Sequence, residues 1–305
     1  MAHKIHAMNA HMGTLDDLKN KNFIFEPKLD GIRALCYVNE KCDFISRNDI
    51  NLSGRFPELL TIRRNIKARE CILDGEIVAY DKKGIPHFSA LQKGGKPTYV
   101  VFDILLKNGK SLVHLPLMER KKILNKTIVE NARLEKTFFT RDGRTLWKEM
   151  VKKKMEGVMA KDPEAPYHPG IRSRVWLKIK LFNTIDCVIV GFTTAKRAIS
   201  SLALGLYDTD QELYYIGKVG TGFNEKDMEE LETKLTPLKI DTRPTENAPV
   251  IAGKKIQWVK PRTVCEVTFL QFTSIRYLRA SVFIRLRTDK KPKQCTFRSQ
   301  TLINK

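Results

Sequence analysis

The sequence predicts two α+β domains in tandem, the second a small β-barrel, and three observations carry that prediction. Short β-branched and aromatic runs alternate with polar or glycine-containing turns along most of the chain. That pattern pauses after Lys180, at "LFNT", and then restarts as a second β-rich series. The length of 305 residues suits about two domains, each with its own core.

In the first series, "FIFEPK", "RALCYVN", "DFISRN", "CILDGEIVAYD" and "TYVVFDILL" read as strands of one largely antiparallel sheet. Two helices follow: "PLMERKKILNKTIVEN", with Leu117, Leu124 and Ile128 on one face and Pro116 in its first turn, and "RTLWKEMVKKKM". Strands "GVMAKD" and "WLKIK" complete this half, and a boundary is expected near residue 182, giving domains 1–182 and 183–305. The second series comprises "IDCVIVGFT", "SLALGLYD", "ELYYIGKVGT", "TVCEVTFLQFT" and "SVFIRLRTD", with one helix, "NEKDMEELETKL", capped by Asn224. Five short strands and one helix fit an OB-type barrel, a nucleic-acid-binding architecture. The stretch "DTRPTENAPVIAGKK" reads as a surface loop.

Composition narrows the class. Lys and Arg number 55 against 34 Asp and Glu, a formal net charge of +21 that points to a polyanionic partner, nucleic acid first among them. No long apolar run suggests a membrane span, and "MAHKIHAMNAHMG" lacks the apolar core of a secretion signal, so a cytoplasmic protein is expected. Six cysteines stand singly without a C-x-x-C pair, which disfavours a zinc or redox motif and predicts buried, reduced thiols. His3, His6 and His11 lie in what reads as a flexible terminal segment rather than a metal site.

Several polar residues stand where strands have no structural use for them. "EPKLDGIR" groups Lys28, Asp30, Gly31 and Arg33; "LDGE" sets Asp74 and Glu76 on one strand face; "EGVMAK" opens with Glu156 and ends with Lys161; "WLKIK" sets Lys178 and Lys180 opposite Leu177 and Ile179. Were these faces to share a cleft, the amines would bind phosphate and the carboxylates Mg²⁺. A lysine among other cations has its pKa pushed down, which favours the neutral nucleophile, here Lys28.

The ordered set "EPKLDGIR", "SRND", "LDGE", "VVFDILL", "EGVMAK", "WLKIK" and "RTDK" resembles the motif series of ATP-dependent DNA ligases, within the covalent nucleotidyltransferase superfamily. "YIGKVGTGF" and "WVKPRTVCEVTF" are similar to the ligase domain of bacterial and archaeal end-joining ligases, and the likeness runs from about residue 20 to 292. It implies a nucleotidyltransferase (adenylation) domain followed by an OB-fold, and the sealing of 5′-phosphate/3′-hydroxyl nicks through a lysyl-AMP on Lys28 and a DNA-adenylate.

Residue by residue, the resemblance implies catalytic roles for Lys28, Asp30, Lys178 and Lys180, the two later lysines holding the α-phosphate. Glu26 is implied beside the adenine, against the plainer reading of a solvent-facing strand carboxylate. Arg33 is implied at the ribose or the DNA 5′-phosphate, against a structural ion pair with Asp30. Arg47 is implied at nucleotide or DNA phosphate, Glu76 at the ribose or a metal, Glu156 at the catalytic metal, and Phe102 stacked on the base. Trp176 reads as core or hinge packing. Arg287, Asp289 and Lys290 are implied to orient the pyrophosphate. Two solvent-facing lysines on an edge strand is the plainer account of Lys178 and Lys180.

ATP and Mg²⁺, with Mn²⁺ as a substitute, are the implied cofactors. Nicked duplex DNA is the implied substrate of a monomer, with a Ku-type end-binding protein and a repair polymerase or primase as implied partners, at the nucleoid if the source is prokaryotic. Capping guanylyltransferases, RNA ligases and a catalytically silent nucleic-acid-binding module are the competing readings. A nucleotide-labelled adduct separates the last of these from the enzymes.

Overall fold

The computed structural model describes residues 5–194, 199–248, 256–298 and 301–302. It divides into two compact units, Met1–Lys180 and Leu181–Lys305.

The first unit holds β1 (Asn9–Met12), β2 (Ile24–Pro27), β3 (Ile32–Val38), β4 (Cys42–Ser46), β5 (Cys71–Val78), α1 (Phe88–Gln92), β6 (Thr98–Lys107), β7 (Lys110–Ser111), α2 (Leu117–Thr127), β8 (Leu134–Lys136), α3 (Gly143–Lys152), β9 (Gly157–Lys161) and β10 (Arg172–Lys180). The single sheet expected from the first series is two sheets, ordered β4-β3-β5-β6-β7, with β8 beside β6, and β1-β10-β9-β2. Pairing is antiparallel except for β1 with β10 and β8 with β6. Alternation shows which residues share a face of a strand, but not which sheet the strand joins. That is why "FIFEPK" left its sequence neighbours for β9.

Alternate residues of each sheet go to different cores. Ala34, Cys36, Val38, Phe44, Leu73 and Tyr99 pack under the 3-10 helix Pro57–Asn65 and Leu124 of α2. The other face of the same sheet, through Leu35, Ile72 and Leu105, meets Met8, Tyr167 and Trp176. Beneath the second sheet, Leu146 and Met150 of α3 pack on Phe25, Val158, Ala160, Leu177 and Ile179. α3 starts where the Asp142 side chain accepts the Thr145 N–H at 3.0 Å.

The N-terminal segment departs from the expectation of a flexible tail. Within the described residues Met8 is fully buried, and β1 adds to the edge of β10. His3 lies outside the described residues, and among those described no group of three or more His, Cys, Asp or Glu could hold a metal. α2 ends at Thr127, earlier than its apolar face suggests, with Pro116 as N-cap rather than in the first turn.

The second unit holds β11 (Asn183–Thr193), β12 (Ser201–Tyr207), β13 (Leu213–Val219), α4 (Glu225–Leu235), β14 (Lys239–Ile240), β15 (Gln257–Phe269), β16 (Gln271–Phe272), β17 (Leu278–Arg279), β18 (Val282–Leu286) and β19 (Thr301–Leu302). Its main sheet is ordered β13-β12-β11-β15-β14, with β18 on β15 and β19 on β11. β11, β12, β13, β15, β18 and α4 are the five strands and one helix of the OB-type reading. A bulge between Ile189 and Gly191 bends β11 against both neighbours, as a curled sheet requires. Asn224 caps α4 by accepting the Asp227 N–H at 2.8 Å, and the Asp227 carboxylate accepts the Asn224 N–H at 2.9 Å.

Residues 249–255 of the expected surface loop lie outside the described residues, and 241–248 carry no regular element. The six cysteines are free and buried, as expected. Among the described residues no helix is long and apolar enough to cross a membrane.

Candidate active site

A pocket of about 270 Å³ opens in the first unit between its two sheets. Strand parity fills it: Glu26, Met159, Lys161, Trp176, Lys178 and Lys180 come from one sheet, Arg33, Glu76 and Phe102 from the other, with Lys28 on the turn after β2.

That turn is shaped by two glycines. A Cβ on Gly31 would stand 2.2 Å from the Ile77 carbonyl oxygen, so only glycine lets the chain lie this close to β5. Gly157 has φ of 139° and its Cβ would meet the Ile179 carbonyl at 2.1 Å. The Lys28 N–H donates to the Gly157 carbonyl at 2.9 Å, which ties the turn to the start of β9. Asp30 is buried and accepts the Phe88 N–H at 3.1 Å, the first residue of α1. Its carboxylate does not line the pocket, so here it anchors the turn rather than facing a ligand.

Lys28 Nζ donates to Glu156 Oε2 at 2.7 Å, and Lys180 Nζ lies 3.1 Å from Glu156 Oε1. Glu156, expected to hold a metal, thus carries two lysines. Burial alone would raise its pKa, but the two ammonium groups outweigh burial and hold it below the usual carboxylate value. The nearest charge to Lys28 is therefore a carboxylate, not the ring of cations that the sequence suggested. The Lys178 side chain lines the pocket without a hydrogen-bond or ion-pair partner among the described residues. Partial burial, then Lys180, Arg172, Lys28 and Arg47, pull its pKa down. Neither lysine is on an edge, because β10 lies between β1 and β9.

Glu76 is the counterpart on the other sheet. Its carboxylate has no hydrogen-bond or ion-pair partner among the described residues, and burial pushes its pKa up to about 8 against the pull of Lys28 and Arg33, with Glu156 and Asp74 adding to the rise. An unsatisfied, half-buried carboxylate favours an incoming cation. Glu76 lines the pocket, whereas both Glu156 oxygens are held by Lys28 and Lys180, so Mg²⁺ here would draw chiefly on Glu76 and on substrate phosphates rather than on a cage of protein ligands.

Arg33 is pinned. Its Nε and Nη2 donate to Asp74 Oδ1 and Oδ2 at 3.0 and 2.6 Å, and Nη1 donates to the Met8 carbonyl at 2.6 Å. Tyr167 donates to Asp74 Oδ2 at 2.7 Å and is 3.3 Å from Arg33 Nη2. The plainer reading of an ion pair with Asp30 gives way to a bidentate pair with Asp74, because residues 33 and 74 face the same side of neighbouring antiparallel strands.

The base end of the pocket is built on Glu26, Phe102 and Trp176. Phe102 meets Trp176 edge-on at 5.9 Å. Trp176 is buried, as core packing predicts, yet also lines the pocket. Glu26 is only 2% exposed, which overturns the plainer reading of a solvent-facing carboxylate. Lys161 Nζ and Lys121 Nζ each stand 2.6 Å from one of its oxygens. Arg47 is exposed at the rim.

Arg287, Asp289 and Lys290 belong to the second unit. Arg287 Nη1 and Lys290 Nζ share Asp186 at 2.9 and 2.5 Å, and Asp289 takes the other side of the Arg287 guanidinium at 2.9 and 2.8 Å. The pocket lining comes from residues 9–180 alone.

Among the charged and aromatic residues that line or support the pocket, Lys121, Tyr167 and Arg172 escaped the sequence reading. Lys161 was named for a shared cleft, as its parity with Met159 and not with Val158 and Ala160 bears out, but not for the base end. Tyr167 sits in an irregular stretch that carries no periodic signal.

Against known proteins, the family described as "ATP dependent DNA ligase domain" matches residues 3–180, and "ATP dependent DNA ligase C terminal region" matches 195–290. The multifunctional non-homologous end joining protein LigD of Mycolicibacterium smegmatis is 33% identical over 295 residues, covering 93% of this chain and 38% of that protein. The chain thus spans about two fifths of that relative's length. The crystal structure of the ligase domain from M. tuberculosis LigD is 31% identical with a TM-score of 0.55, covering 96% of this chain and 98% of that one. A mycobacterial DNA ligase D complexed with ATP and MES matches over the same shares at 31% identity and a TM-score of 0.57.

Proposed function

The chain belongs to the ATP-dependent DNA ligases, and from that membership and the pocket of the first unit we propose that it seals nicks in duplex DNA through a lysyl-AMP on Lys28. One observation carries the assignment of the nucleophile. Lys28, Lys180 and the unpaired Lys178 converge on one pocket, with the Lys28 and Lys180 amines held by a single carboxylate, Glu156.

In the first step the Lys28 ammonium passes a proton along its hydrogen bond to the Glu156 carboxylate, and the freed Nζ attacks the α-phosphorus of ATP. The N–P bond forms as the P–O bond to pyrophosphate breaks. Lys178 and Lys180 offset charge on the phosphoryl oxygens, and their fixed placement supplies the catalysis that positioning gives in phosphoryl transfer. Phe102 takes the face of the adenine and Glu26 its edge. In the second step AMP passes from Lys28 to the 5′-phosphate of the nick. In the third the 3′-hydroxyl attacks, the strand closes and AMP leaves. Arg33 is held by Asp74, so in this reading it orients the pocket wall, and the exposed Arg47 is the group free to meet a DNA phosphate. Glu76 would be the chief protein ligand of Mg²⁺, or of Mn²⁺ in its place, which neutralises phosphate charge.

The basic excess serves the DNA backbone, in the cytoplasm and, if the source is prokaryotic, at the nucleoid. End joining beside a Ku-type protein and a polymerase or primase is the proposed setting, because the M. smegmatis relative is a multifunctional end-joining protein. The test is incubation with α-labelled ATP or GTP and a divalent metal, followed by denaturing electrophoresis, after pyrophosphate has stripped any adduct formed before purification. A label from ATP that Lys28→Ala abolishes is expected. A label from GTP alone would point to a capping-type enzyme, and none at all would refute the reading.

A further inference from the structure

We propose that Lys121 and Lys161 are positioning residues that set the nucleobase preference of the pocket, by keeping Glu26 an acceptor-only carboxylate in fixed relation to the Phe102 ring. The inference rests on the proposed nucleotide site.

Three charged groups lie buried together at the base end. Glu26 Oε1 is 2.6 Å from Lys121 Nζ, and Oε2 is 2.6 Å from Lys161 Nζ. The lysines come from different elements, α2 and β9, and both touch the aromatic wall. Lys121 donates to the Phe102 carbonyl at 3.2 Å. Lys161 Nζ stands 4.3 Å from the centroid of the Phe102 ring and 4.1 Å from that of Trp176. The same two amines therefore fix an acceptor and a stacking surface at once.

Stability does not explain this arrangement. Burying two ammonium groups around one carboxylate is costly, and apolar side chains of similar volume would serve a core as well or better. Burial, and then Lys121, depress Lys161, which sits at about 8 despite the attraction of Glu26. Burial works to protonate Glu26, but Lys121 and Lys161 outweigh it and keep the group ionised.

An ionised carboxylate can only accept hydrogen bonds. A base edge with an amino group at C6 meets it favourably, whereas a carbonyl there brings oxygen against oxygen. Without one lysine the buried carboxyl takes up a proton. It then donates as well as accepts, and discrimination against the carbonyl edge falls. Specificity of this kind depends on keeping a buried polar group in one protonation state.

The experiment measures kcat and KM for adduct formation with ATP and with ITP, which carries the carbonyl. The proteins are wild type, Lys161→Met, Lys121→Met, Glu26→Gln and the double variant Lys161→Met/Glu26→Gln, each checked for folding by thermal melting. The double variant leaves no unpaired carboxylate, so it keeps the test usable if Lys161→Met alone fails to fold. Wild type is expected to prefer ATP by at least about tenfold in kcat/KM. The lysine variants and Glu26→Gln should lose most of that ratio, chiefly through KM for ATP. Ratios within twofold of wild type in folded Lys121→Met and in either folded Lys161→Met protein would overturn the inference and leave the ligase reading standing. No adduct from wild type with either nucleotide would overturn both.

Discussion

Glu156 in the first unit and Asp186 in the second each bridge two cations, yet the two clusters are built to different standards. Glu156 immediately precedes β9, and its lysines come from the turn after β2 and the end of β10, strands paired on either side of β9. All three side chains are mostly buried, at 12% exposure for Glu156 and 18% for each lysine. Asp186 is buried too and Arg287 is only 15% exposed, but both partners reach Asp186 from the chain after β18, where Lys290 is 31% exposed and Asp289, the second partner of Arg287, is 65% exposed. Charges held by paired strands and a tied turn stay where the backbone puts them. Exposed ion pairs gain little and exchange readily. The first cluster is suited to fixing a nucleophile, and the second to releasing Lys290 while Arg287 stays held.

The sharpest way to break that comparison is Glu156→Gln. It keeps the shape but removes the charge that aims Lys28 and Lys180. Adduct formation is expected to fall on the order of 10²-fold or more, the cost of a misplaced reacting group. Single-turnover labelling measures it, and a loss under threefold would make Glu156 a bystander.

A second test sharpens the electrostatics of the pocket through Glu76. Its folded pKa of about 8 lies above the ordinary 4.5, so the native state binds its proton more tightly than the unfolded chain. The penalty for ionising it is absent below about pH 4.5, grows as pH rises towards 8 and levels off above. Glu76→Gln removes the penalty. The variant is expected to match wild type in thermal midpoint near pH 4.5 and to exceed it increasingly up to about pH 8. Parallel curves would show that the carboxylate is not desolvated.

The smallest expected effect belongs to Asp186→Asn. Freed from Asp186, Arg287 keeps Asp289 and Lys290 gains solvent, so unfolding free energy should stay within about 1 kcal/mol of wild type. A denaturant midpoint shifted well beyond that would mean the second cluster is as structural as the first.

Much of this was legible before any coordinates. The strands of both units, the α4 cap at Asn224 and the burial of the cysteines follow from alternation, capping chemistry and the apolar character of single thiols. The parity of "WLKIK" set Lys178 and Lys180 against Leu177 and Ile179, as the cores show. The N-terminal segment was misread because β1 has only four residues, pairs parallel with a distant strand and carries no alternation. Met8, whose carbonyl holds Arg33, was lost with it.

By itself the sequence determined which residues can face one way along each strand, and so which charges could act together. Those are consequences of local geometry, the two-residue period and the rotamers that follow from it. Only the tertiary structure decided that β2 joins β9 rather than β3, that Arg33 pairs with Asp74 rather than Asp30, and that Lys121 and Lys161 converge on Glu26. The physical reason is that burial and partner choice arise between segments far apart in the chain. An ion's energy depends on the dielectric around it and on the charges within a few ångströms, and neither can be read from the neighbours it has in sequence.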